Sequence, residues 1–119
     1  MATPTLTTTE RNAAANAVVD LLDTGTGTPE IRFGDTGLAN VYLTIQLDGT
    51  AAYGDAAVGV CTITGTPSGT GVATAIATDF GFFDRDDTAL RSGVLDIPVP
   101  IVNGNTYQIT TANYTQPAS

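Results

Sequence analysis

Lysine, histidine and tryptophan are absent from this chain of 119 residues, arginine occurs four times and cysteine once. Each gap removes chemistry. Without lysine there is no Walker A phosphate loop and no Schiff base, and a formal net charge of −8 repels a nucleic-acid backbone. Without histidine there is no Ser-His or Cys-His pair and no imidazole ligand for zinc, so any acid–base work falls to carboxylates. The lone Cys61 permits no intrachain disulfide; in AVGVCTITG it alternates with apolar neighbours, the pattern of a small buried thiol rather than a reactive one. No apolar run approaches the roughly 20 residues that span a bilayer, and MATPTLTTTE has neither the basic start nor the apolar stretch of a signal peptide. The expectation is a soluble chain made in a cytoplasm, with no enzymatic activity, no cofactor or metal, and neither nucleic acid nor membrane as partner.

What is present is threonine, alanine, valine and glycine; threonine and valine suit pleated strands, and glycine the turns between them. A chain of this length folds as one domain that buries roughly two-thirds of its unfolded surface. Residues 1–7 (MATPTLT) read as an extended arm. Thr7 and Glu10 have the S/T-x-x-E spacing of a capping box, so a helix is predicted over 8–23, with Ala14, Ala17, Val18, Leu21 and Leu22 as its apolar stripe and Asn12, Asn16, Asp20 and Asp23 on the remainder. Gly25, Gly27 and Pro29 end it. From 30 to 112 the pattern is of strands. NVYLTIQL alternates Val41, Leu43, Ile45 and Leu47 against Tyr42, Thr44 and Gln46, and Tyr53 reads as the anchor of the loop that follows. AVGVCTIT, GVATAIAT, DFGFF, ALRSGVLDI and TYQITT are further strands, GTPSGT is a loop, PVPIVNGNT an irregular link, and 113–119 a polar tail. Many short strands with Gly and Asn turns predict a mainly β domain, an antiparallel sandwich or barrel carrying one N-terminal helix.

The stretch FGFFDRDDTALRSG, from Phe80 to Gly93, crowds phenylalanine against charge. Strand alternation puts Phe80 and Phe82 on one face, toward a core, and Phe83 on the other. Asp84 and Asp86 match the first two ligands of a calcium loop, but Thr88 and Ala89 stand where an oxygen ligand and the turning glycine belong, and no glutamate closes the loop. DRDD therefore reads as a solvated turn. A glycosidase would need two carboxylates flanking a sugar, and nothing selects a pair among Asp79, Asp84, Asp86, Asp87 and Asp96. A carbohydrate-binding surface using Phe83 and Asp84 remains as an alternative without catalysis.

RNAAANAVVDLLDTGTGTPEIRF, LTIQLDGTAAYGDAAVGVCTI, GVATA, FGFFDRDDTALRSGVL and VNGNTYQITT together resemble a group of small virion-associated proteins of tailed bacteriophages and prophages. That group joins an R-N-A helix and a Gly-rich turn to short strands and an aromatic hairpin. It often carries tryptophan before the phenylalanine and Asp-Gly at the hairpin turn, where this chain has Phe82-Phe83 and Asp84-Arg85. The resemblance implies a structural protein on the exterior of the virion, most readily a capsid decoration or cement protein bound to the major capsid protein. A tail or head-to-tail connector component is the alternative. It brings no cofactor or active site, and implies by analogy a homo-oligomer, a trimer at a lattice threefold. Candidate subunit contacts are Pro4 and Leu6 in the arm, Phe83, Asp84 and Arg85 at the hairpin tip, and Tyr114 in the tail.

Overall fold

The computed structural model describes residues 5–110 and 112–116. Helix α1 (Thr8–Asp20) continues into a 3-10 turn, Leu21–Asp23, and is followed by β1 (Glu30–Gly34), β2 (Val41–Gln46), β3 (Val60–Cys61), β4 (Ser68–Thr70), β5 (Ala75–Phe83), β6 (Ala89–Ile101), β7 (Thr106–Gln108) and β8 (Tyr114–Thr115). All pairings are antiparallel: a four-stranded sheet in the order β2-β1-β5-β6, and two ribbons, β3 with β8 and β4 with β7. The chain is a mainly β, sandwich-like domain with one N-terminal helix.

The capping box forms. Glu10 N–H donates to Thr7 Oγ1 at 3.2 Å and Thr7 N–H donates to Glu10 Oε1 at 3.1 Å, so two donors at the helix start are satisfied reciprocally. The buried stripe is one residue out of phase with the predicted one: Ala15, Val19 and Leu22 face the core, while Ala17 and Leu21 are exposed. The reason is polar. Asn12 Oδ1 accepts from Gly59 N–H at 2.7 Å and Asn16 Oδ1 from Ala56 N–H at 2.8 Å, so both asparagines turn toward the 56–59 loop and rotate the helix with them. An asparagine that caps loop backbone belongs to the packed side, although its polarity alone assigns it to water.

The sheet's inner face carries the core. Ile31 and Phe33 of β1 pair with Ile45 and Leu43 on one side and with Phe82 and Phe80 on the other. Ile31, Leu43, Ile45 and Phe82 are buried, and Phe80 and Phe33 are half-buried. Full burial of such side chains is worth ~1.5–3 kcal/mol each. Cys61 is fully buried beneath α1, and Tyr53 anchors its loop by donating its hydroxyl to Ala112 O at 2.5 Å.

Four expectations are corrected. AIAT, the second half of GVATAIAT, and DFGFF are not two strands but one, Ala75–Phe83, with a register shift between Ala77 and Asp79; the shift changes which parity faces inward, so that Ala77 and Phe82 are both buried. PVPI is not a link but the end of β6: Pro100 lies opposite Ile76, and Pro98 belongs to the four-residue bulge, 95–98, that faces Thr78. β6 is the sheet's outer strand, where a missing N–H breaks no ladder. The GTPSGT loop contains β4, whose Gly69 lies so close to β2 that a Cβ there would sit 2.2 Å from Thr44 O. Beyond residue 112 the chain also folds back: Tyr114–Thr115 pairs with β3, and Arg11 Nε and a guanidinium NH2 donate to Gln116 O at 3.2 and 3.0 Å.

Candidate functional site

The β5–β6 hairpin ends in the turn 84–88, whose first half, Asp84 and Arg85, is docked on the protein while Asp86, Asp87 and Thr88 are exposed. Asp84 is 7% exposed; its Oδ1 accepts from the backbone N–H groups of Asp86 and Thr88, each at 2.9 Å, while its own N–H donates to Thr88 O at 3.0 Å. Asp87 takes a left-handed backbone conformation, φ 63°, to close the turn. Arg85 then reaches across to the Gly-rich turn after the helix. Its guanidinium pairs with Asp23 at 3.2 Å and donates to Gly27 O, while its backbone N–H donates to Thr24 O and its carbonyl accepts from Gly27 N–H. Asp86 Oδ1 accepts from Thr26 N–H at 3.2 Å. Gly25 is required here twice over: its φ is 106°, and a Cβ would strike the Asp86 carboxylate at about 2.5 Å. The solvated-turn reading holds for Asp86 and Asp87, which are exposed, and fails for Asp84, whose partners are backbone N–H groups that no sequence pattern displays.

Phe83 packs on the outer face beneath Arg32, whose Cζ lies 3.9 Å above the ring. Arg32 also pairs with Glu30, and with Asp87 at 2.8 Å. The carboxylates of Asp84 and Asp86 are engaged by backbone and those of Asp23 and Asp87 by arginine, so none is poised as a free acid or base. The hairpin tip is a clamp that fastens the sheet to the end of the helix.

A second constellation lies farther along the same hairpin. Gly81 pairs with Ser92 and Phe83 with Ala89, so Leu90 and Arg91 together face Phe82: a one-residue bulge in β6. The bulge places Arg91 Cζ 4.0 Å over the Phe82 ring and 5.2 Å from that of Tyr114. A cleft of about 340 Å³ opens there, lined by Tyr53, Phe80, Phe82, Arg91, Ser92, Ala112, Asn113 and Tyr114. Phe80 and Phe82 meet edge to face at 6.0 Å. Burial pushes the Tyr53 hydroxyl pKa up, with Arg91 opposing the rise, so the phenol stays protonated and donates to Ala112 O. A neighbouring apolar cleft of about 260 Å³, lined in part by Ile31, Phe33, Leu95 and Ile109, shares Phe80, Phe82 and Ala112 with it.

Of the candidate contacts, Phe83, Asp84 and Arg85 come together at the clamp, and Tyr114 lies at the Arg91 cleft, its hydroxyl donating to Gln116 Oε1 at 3.0 Å. Leu6 is half-buried just before the helix, and Pro4 lies outside the described residues. Sequence reasoning missed the cleft, because it depends on a bulge and on the return of Tyr114 to the sheet. The only visible sign was an arginine inside a strand-like run, ALRSG. Among the described residues no group of three or more Cys, Asp and Glu side chains is arranged to hold a metal ion, and no helix is long and apolar enough to cross a membrane.

Fold and site thus define a class: an antiparallel β domain with a clamped hairpin and a cleft of aromatic rings around one arginine. No protein-family model, curated protein or solved structure matches the chain.

Proposed function

We propose that this protein is a non-enzymatic structural component of a bacteriophage particle, a capsid decoration protein that binds the exterior of the major-capsid-protein lattice. Beside the sequence resemblance, one observation supports this reading. On the outer part of the sheet, Ile76 of β5 and Val94 and Ile97 of β6 are 61%, 72% and 79% exposed. Scattered apolar residues are ordinary on a surface, but these three fall on two paired strands beside the sheet's outer edge and its bulge. Covering them on a partner would contribute up to ~1.5–3 kcal/mol per side chain. That is modest for a single contact and sufficient when an oligomer engages several lattice sites at once.

The test is to add the protein to capsids assembled from major capsid protein alone, sediment them, and image the bound particles by electron cryo-microscopy. The expected result is saturable binding, density of this fold on the outer lattice, and loss of binding in Ile97→Asp with the thermal midpoint unchanged. A lattice that leaves the protein in the supernatant overturns the proposal. Density confined to a portal vertex or tail overturns the decoration role and assigns a connector or tail component. Retention on a glycan array without capsid binding assigns a carbohydrate-binding module.

A further inference from the structure

Twelve carboxylate side chains and four arginines share this chain, and three of the arginines have strong polar partners. Arg32 pairs with Glu30 and Asp87, Arg85 with Asp23, and Arg11 donates twice to Gln116 O. Arg91 differs. All twelve carboxylate side chains lie among the described residues, and none of them forms an ion pair with it. Its contacts among the described residues are the Phe82 and Tyr114 rings and a hydrogen bond with the Tyr53 hydroxyl, so with acids in threefold excess most of the five N–H donors on its polar edge remain available.

The geometry says which edge. A guanidinium is planar and carries its five N–H donors in that plane, so rings on its faces fix its tilt and leave the donors to meet a ligand edge-on. Phe82 lies on Arg91 at 4.0 Å and Tyr114 stands 5.2 Å away. The cleft of about 340 Å³ that they line is at the small end of the range for small-molecule sites, ~300–1,000 Å³. Its other walls, Tyr53 and Phe80, are aromatic, and Ser92 and Asn113 add one hydroxyl and one amide. A single guanidinium with no second cation beside it matches a singly charged carboxylate, which it can hold with two parallel N–H donors. A phosphate dianion would keep uncompensated charge in a protein of net charge −8.

We infer that the Arg91 cleft is a binding site for a small planar carboxylate, its charged end on the Arg91 edge and its apolar body against Phe80 and Tyr53. This goes beyond a structural role and does not depend on one.

The test uses the full chain, labelled with nitrogen-15 and titrated with benzoate, with its neutral isostere benzamide, and with inorganic phosphate. The expected result is saturable millimolar binding of benzoate, with amide shifts concentrated at Arg91, Ser92, Asn113 and Tyr114. Benzamide and phosphate should each bind at least about tenfold more weakly, the order expected for losing a charge-assisted bidentate contact. Arg91→Gln should weaken benzoate binding by a similar factor. The benzoate–benzamide comparison is made on the unmodified protein, so it decides the matter even if that variant unfolds. Benzamide or phosphate binding as well as benzoate, or benzoate shifts that do not saturate or lie elsewhere, overturns the inference.

Discussion

Replacing Asp84 with alanine tests the clamp most directly. The carboxylate is 7% exposed and accepts two backbone N–H groups at 2.9 Å. Hydrogen bonds to a charged acceptor are worth ~1.5–3 kcal/mol each, but Asp86 and Thr88 are exposed residues whose N–H groups water can partly reach once the side chain is gone. Discounting for that hydration leaves a cost of about 2–4 kcal/mol, a large share of the ~5–15 kcal/mol that holds a domain together. The assay is urea unfolding. With a mid-range slope of ~2 kcal/mol/M, the midpoint should fall by roughly 1–2 M at unchanged slope. Asp84→Asn keeps an acceptor oxygen in place and should cost about 1 kcal/mol. Asp87→Asn suits the same left-handed backbone, removes only an exposed ion pair with Arg32 and should cost at most ~1 kcal/mol. A loss below about 0.5 kcal/mol in Asp84→Ala, or a loss in Asp87→Asn as large as in Asp84→Ala, would refute the assignment of Asp84 as the organiser of the turn.

Val58 and Gly59 form a two-residue hairpin turn with φ of 50° and 74°, a conformation costly for a β-branched residue; Val58→Asn should raise stability by ~1 kcal/mol in chemical denaturation. Gly69→Ala would press a methyl group against Thr44 O and should lower the unfolding midpoint, whereas Gly49→Ala, with open space around it, should leave it nearly unchanged. Hydrogen bonds to Thr7 hold the Glu10 carboxyl pKa below its ordinary 4.5, and bonds to Asn40 and to Ala51 and Thr50 do the same for Asp35 and Asp48 from 3.8. Their contribution to stability is complete above those ordinary values and is lost as pH falls through the lower folded ones. Thermal midpoints should therefore drop with pH below about 4.5, less steeply in Glu10→Gln. Burial, reinforced by the charges of Asp20 and Asp55, pushes the Cys61 thiol pKa up; Ellman's reagent should react with it only on unfolding, and reaction of the native protein at a free-thiol rate would contradict its burial.

Elements governed by neighbouring residues were legible in the sequence. Thr7-x-x-Glu10 marks the helix start because both partners lie within one turn, and the alternation of Leu43, Ile45 and Leu47 marks β2 because its inner face is uniformly apolar. Features set by distant backbone were not. Asn12 and Asn16 face inward because loop N–H groups 47 and 40 residues away require acceptors. Pro98 and Pro100 read as a break because sequence does not reveal that their strand is an outer one. The candidate site divides in the same way: crowding of rings and charge in FGFFDRDD pointed to an important place, but the clamp depends on Asp23, Thr24, Thr26 and Gly27, and the cleft on a bulge and on Tyr114.

The closure of the chain on itself sets the order in which the domain can be completed. Gly59 N–H is held by Asn12 and Gly59 O by Gln116 N–H, while Arg11 grips Gln116 O across a sequence separation of 105 residues. The helix emerges from the ribosome before the strands, but β3 has no partner strand until Thr115 has been made. During synthesis, a nascent chain that ends before Gln116 carries α1 without the latch that secures it. Contacts this far apart in sequence raise the contact order, which slows folding as a whole.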